Sequence, residues 1–133
     1  MQETKTISSS NRIATQRKHV VVIAQAGLIT DYHVIATAYN VQFTESREEA
    51  SSLLAAIDEK VSLIIIDHGM NLEYDLARDI RSIEQYKYVP ILIVGDEITL
   101  KDKIQTKKNG VTGWLQRHEI QTALINVVDE ITK

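Results

Sequence analysis

Residues 61–70 read VSLIIIDHGM. A short aliphatic, β-branched run without polar interruption suits a strand buried on both faces, and such strands belong to parallel sheets. The run ends in the carboxylate of Asp67, where the chain should leave the core. Working outward, HVVVIA at 19–24 and PILIV at 90–94 repeat the pattern, with Pro90 tolerable at a strand's first position. VQFT at 41–44 offers a shorter alternating strand, and GWL at 113–115 a fifth.

Helical spacing fills the gaps between these runs. Leu28, Tyr32, Ile35 and Ala38 make a first apolar stripe, and Leu76, Ile80 and Ile83 a third. Between them, Ser46 stands three positions before Glu49 in the manner of a capping box, followed by Ala50, Leu53, Leu54 and Ile57. A polar fourth helix over Thr99–Lys108 has only Leu100 and Ile104 to bury and ends at Asn109-Gly110. Ile120, Ala123, Leu124, Val127, Val128 and Ile131 share one face of the last helix. Strands alternating with helix-length crossovers imply an α/β, doubly wound fold with a five-stranded parallel sheet covered on both faces. Right-handed crossovers bring the loops after the first, third and fourth strands to the carboxyl edge, where open α/β sheets bind ligands. Asp67 falls at that edge.

The chain has 133 residues, enough for one domain with a real core. Residues 1–18, with Ser8, Ser9, Ser10 and Asn11 in a row, lack an apolar period and read as a flexible polar segment before a domain at 19–133. A formal net charge of -3 gives no general attraction to a polyanion. There are no cysteines, so disulfides, thiol nucleophiles and thiolate metal sites are excluded. No apolar run reaches the ~18 residues of a membrane span, and the polar start is not a signal peptide. A cytoplasmic protein with protein or small-ligand partners is expected, without direct nucleic-acid or membrane binding.

Over roughly residues 19–132 the order of elements, the fragment Asp67-His68-Gly69-Met70 and the fragment GVTGWLQRH together resemble the receiver domain of bacterial response regulators. The resemblance implies a flavodoxin-like topology with strand order 2-1-3-4-5. It makes Asp67 the candidate phosphoacceptor, fed by a histidine kinase and assisted by magnesium held on paired carboxylates after the first strand. It also places Trp114 at the family's aromatic switch position. Departures are numerous. Ala24 and Gln25 stand where the acid pair belongs, Gly95 and Asp96 replace a Thr or Ser followed by Ala, and Arg117 and His118 replace Lys-Pro. The loop after Met70 lacks the usual Pro, and Asn71-Leu72 runs almost directly into the third helix.

These departures remove chemistry. Phosphoryl transfer to a carboxylate needs a cation to offset the charge on the equatorial oxygens, and magnesium prefers carboxylate, carbonyl and water ligands. Asp67 and the Gly69 carbonyl could still offer two ligands, but a methyl group and a neutral amide replace the acid pair. Gly95 brings no hydroxyl. Arg117, a planar fork in place of a compact ammonium, can steady a phosphoryl group or pair with Asp67 directly. Asp96 and Glu97 could restore cation binding, although loop carboxylates generally face water. His68 and His118 with Asp67 have the donor types of a metal site, yet loop histidines are more often hydrogen-bonded or solvated. No metal and no cofactor is assigned.

Trp114 packs between the edge strand and the fourth helix or, together with Leu100 and Ile104, forms an interface, since Trp is enriched at binding hot spots. Lys101, Lys103, Lys107 and Lys108 make that helix basic, with no helix-turn-helix signal beside them. AQAG after the first strand is no glycine-rich phosphate loop and there is no Ser-centred elbow, so an enzyme is not expected. The expectation is an atypical, pseudo-receiver-like signalling module that contacts a signalling protein or effector domain, with room for a homodimer, and does not depend on ordinary magnesium-dependent phosphorylation. The alternative is a working phosphoacceptor at Asp67 that uses a histidine kinase and magnesium.

Overall fold

The computed structural model describes residues 17–67 and 76–133. Five parallel strands, β1 (His19–Ile23), β2 (Asn40–Thr44), β3 (Val61–Asp67), β4 (Ile91–Gly95) and β5 (Gly113–Gln116), lie in the order β2-β1-β3-β4-β5. Asp67 is opposite Val94, and Gly95 is opposite Gln116. The carboxyl ends of the three strands on that side therefore meet at one edge.

Strand periodicity divides the core into two faces. Val20, Val22, Leu63 and Ile65 pack with Tyr32, Ile35, Leu124 and Val128. Val21, Ile23, Ile64 and Ile66 pack with Ala50, Leu54, Leu76 and Ile80 on the other side. The helices around the sheet are α1 (His33–Ala36), reached through a 3-10 segment Ala26–Tyr32, then α2 (Arg47–Ala56), α3 (Leu76–Arg81), α4 (Leu100–Lys108) and α5 (Ile120–Ile131). α1 and α5 thus cover one face, and α2 and α3 the other. Among the described residues no helix is long and apolar enough to cross a membrane.

Several local readings change. The first helix is a 3-10 segment with a single α-turn, and Ala38 lies beyond it, exposed. Ser46 does cap α2, its hydroxyl accepting from the Glu49 N–H at 3.1 Å, but the Glu49 carboxylate reaches back to the Glu45 N–H instead of that of Ser46. Ile83 falls just after α3 and still packs on the core. The expectation that Leu100 and Ile104 are the buried residues of α4 is corrected: both are exposed, and the one buried residue of that helix is Thr106. α4 is fixed at its start by a reciprocal Thr99–Asp102 capping box, with bonds of 3.1 and 3.0 Å. Its end requires glycine. Gly110 has φ 96°, and a Cβ there would lie 2.8 Å from Arg81 Nε, whose guanidinium donates to the Gly110 carbonyl at 3.1 and 2.7 Å. The sequence readings that fall on residues 1–16, on His68-Gly69-Met70 and on Asn71-Leu72 lie outside the described residues.

Candidate functional site

The period of two that buries Leu63 and Ile65 turns the last residue of β3 to the same face, toward Tyr32. Asp67 is 0% exposed there. A carboxylate without water is costly unless donors surround it. Three donors do so. The Tyr32 hydroxyl donates to Oδ2 at 2.6 Å, Arg117 Nη1 donates to Oδ2 at 2.6 Å, and Arg117 Nη2 donates to Oδ1 at 2.5 Å.

Each donor is placed by a local device. Tyr32 closes the 3-10 segment that follows β1, where a 3-10 turn brings the phenol over the sheet edge. Arg117 is the first residue after β5 and opens a 3-10 turn, Arg117–Glu119, whose Glu119 carboxylate accepts from the Gln116 N–H at 3.2 Å. The guanidinium therefore sits beside the end of β3 and uses its fork bidentately, the strongest geometry available to an Arg–carboxylate pair. Its remaining Nε donates to Asp96 Oδ1 at 2.7 Å. Asp96 is itself largely solvated, with a side chain 74% exposed, so Arg117 spans one buried and one open carboxylate.

The electrostatics hold the two donor side chains in one protonation state each. Hydrogen bonding to Asp67 raises the Arg117 pKa above its usual value; burial pulls against this, while the Asp67 charge and the Asp96 contact add to it. Burial pushes the Tyr32 phenol up, and the adjacent Asp67 charge and hydrogen bond push it further. Arg117 thus stays a cation and Tyr32 stays a donor across the ordinary pH range. With Asp67 fully buried, in-line attack on a phosphoryl donor would first require the groups that cover it to withdraw.

The residues described do not fit the magnesium site that the sequence resemblance implies. Ala24 is buried and offers a methyl group, Gln25 is exposed, and Asp67 already has three donors pointed at it. Asp96 pairs with Arg117, and Glu97 faces solvent. Among the described residues no three His, Cys, Asp or Glu side chains converge as a metal site, and His118 is exposed. Gly95 is buried at the end of β4 without a hydroxyl. Trp114 lies apart from this centre, half-buried against the core, its Nε1 donating to Thr106 Oγ1 at 2.8 Å. Leu100 and Ile104 are on the α4 surface, 73% and 51% exposed.

Sequence reasoning placed Asp67, Asp96 and Arg117 at one edge and missed Tyr32, which had been assigned to an apolar stripe. The available signal was its hydroxyl: a buried Tyr at the carboxyl edge needs a hydrogen-bond partner, and the nearest strand end carried a carboxylate.

No protein-family model and no curated protein matches the chain. Solved structures do match by shape. A chemotaxis protein of Vibrio cholerae is 24% identical, with a TM-score of 0.73 over 86% of this chain and 98% of that one. A response regulator from Thermotoga maritima is 18% identical, with a TM-score of 0.73 over 87% and 98%. An orphan response regulator of H. pylori is 13% identical, with a TM-score of 0.71 over 87% and 97%. What is common at such identities is the backbone. The chain has the flavodoxin-like α/β fold of the response-regulator receiver domain, with strand order 2-1-3-4-5 and a carboxylate at the end of the third strand.

Proposed function

We propose that residues 19–133 form a non-enzymatic, cytoplasmic signalling module of receiver type that acts through protein–protein contacts, its Asp67 centre closed from within instead of being run by magnesium-dependent phosphorylation. One observation carries this reading: Asp67 is fully buried and held by Arg117 through two bonds and by Tyr32 through a third. A phosphoacceptor must present an oxygen lone pair and collect positive charge around the incoming group. Here that charge is already spent on the unmodified carboxylate. In this role the Asp67–Arg117 pair holds the carboxyl edge in one state. Trp114, Leu100 and Ile104 mark the face offered to a signalling protein, an effector domain or a second copy.

The test uses the whole chain with magnesium and acetyl phosphate, read by intact mass, and with beryllium fluoride, read by Trp114 fluorescence. No adduct and no fluorescence change is the expected result. An adduct of about 80 Da that disappears in Asp67→Asn would replace this reading with the alternative, a phosphoacceptor supplied by a histidine kinase with magnesium.

A further inference from the structure

The opposite edge of the sheet has its own unexplained polar group. His19 begins β1 and is 6% exposed, yet among the described residues neither Nδ1 nor Nε2 has a hydrogen-bond partner. Buried polar side chains are nearly always partnered, so an orphan of this kind calls for an explanation. His19 belongs to the lining of a cavity of about 290 Å³ at the amino edge. Arg17 and Lys18 contribute to that lining from the chain entering β1, Lys60 and Ser62 from the entry to β3, and Asn40 from the start of β2. Glu59 is the single carboxylate in it.

The lining therefore presents three cations against one anion, with the Ser62 hydroxyl and the Asn40 carboxamide able to donate beside them and the His19 ring buried in the wall behind. Lys18 gives one N–H to the Thr132 carbonyl, which anchors its ammonium and leaves two for a ligand. Arg17 and Lys60 are exposed and make no ion pair among the described residues, so each can turn toward a guest. A cationic guest would meet net positive charge, and a large apolar guest would strand these donors. A tetrahedral oxyanion suits both charge and donor number, and the space admits one with several waters at about 30 Å³ each. The site is distinct from the Asp67 centre, because β3 runs from Val61 at this edge to Asp67 at the other, about 20 Å along the strand.

We propose that the amino edge of the sheet binds a small oxyanion of the phosphate class, free or as the end group of a phosphomonoester, through Arg17, Lys18 and Lys60 with His19 at the cavity wall. The test titrates the full chain with inorganic phosphate, and separately with glycerol phosphate, at constant ionic strength set by chloride, following the His ring resonances by NMR. A saturable shift of His19, with His33 and His118 unmoved, is expected; response to both ligands indicates recognition of the phosphoryl group, and response to phosphate alone a site closed to its esters. Arg17→Gln and Lys60→Gln, both at exposed positions, should each weaken binding about tenfold, the loss of one charge-assisted contact. The proposal is overturned if chloride reproduces the shift, if the two Gln variants bind as the parent does, or if His118 at the carboxyl edge shifts together with His19.

Discussion

Asp67 and Leu100 exchange the places that polarity alone would give them. The carboxylate is 0% exposed and the leucine 73%. Partners decide this. Asp67 enters the core because a phenol and a guanidinium fork reach it from two different loops, whereas Leu100 stays outside because α4 meets the core through Thr106. The carboxyl edge is thus satisfied from within the chain, while the α4 face leaves apolar surface that nothing among the described residues covers. A module built this way keeps its charged centre private and leaves Leu100 and Ile104 of an otherwise polar helix available, which is the division of labour proposed above.

The largest effect should come from breaking the private side. Arg117→Ala leaves a buried carboxylate without its counter-charge and should cost about 3–5 kcal/mol in urea unfolding. Replacing both members, Asp67→Leu with Arg117→Leu, should cost less than Arg117→Ala alone, because no unpaired charge remains. If Arg117→Ala costs under about 1 kcal/mol, the level of an exposed ion pair, Asp67 is hydrated in solution and the contrast with Leu100 collapses.

Tyr32→Phe comes next, removing one neutral donor from an ionised acceptor at about 1.5–3 kcal/mol. It also has a pH signature. The folded state raises the Tyr32 pKa, chiefly by burial and then through Asp67, so the fold binds the phenolic proton more tightly than the unfolded chain does. The associated stability is complete below the unfolded value near 10 and declines as pH rises above it. Tyr39 and Tyr86 are also raised, mainly by burial, and add to the same alkaline loss. The Tyr32→Phe midpoint should therefore fall less steeply than the parent's between about pH 9.5 and 11. Parallel curves would show that Tyr32 has no special hold on its proton.

Thr106→Val tests the join between the two regions, since the Thr106 hydroxyl accepts from Trp114 Nε1 and donates to the Asp102 carbonyl at 2.7 Å. Losing it should cost about 1 kcal/mol and shift Trp114 emission as the indole N–H seeks another partner. Unchanged emission would mean that packing alone holds the ring.

These residues also show what a sequence can disclose. The sheet was legible because β1, β3 and β4 each need an unbroken aliphatic run to be buried on two faces, and Val20–Ile23, Leu63–Ile66 and Ile91–Val94 supply it. The first helix was not, because Leu28, Tyr32 and Ile35 satisfy a 3-10 turn followed by one α-turn as readily as a continuous helix. Leu100 and Ile104 misled for a related reason: an i,i+4 apolar pair defines a face but not what the face meets. At the candidate site, position alone brought Asp67, Asp96 and Arg117 together. Which carboxylate the fork would grip depends on strand register and loop geometry that no spacing rule contains, and Tyr32 was hidden because a phenol counts as apolar in a stripe.

The smallest effect should come from the open side. Leu100→Ser and Ile104→Ser remove apolar surface that stays in water in the folded chain, so each should change the unfolding free energy measured in urea by no more than about 0.5 kcal/mol, with no dependence on protein concentration. A larger loss that grows with concentration would place a second copy over α4, because association stabilises the folded state by mass action. The face would then be as private as Asp67, only closed by a partner instead of by a guanidinium, and the contrast between the two regions would be one of who supplies the cover.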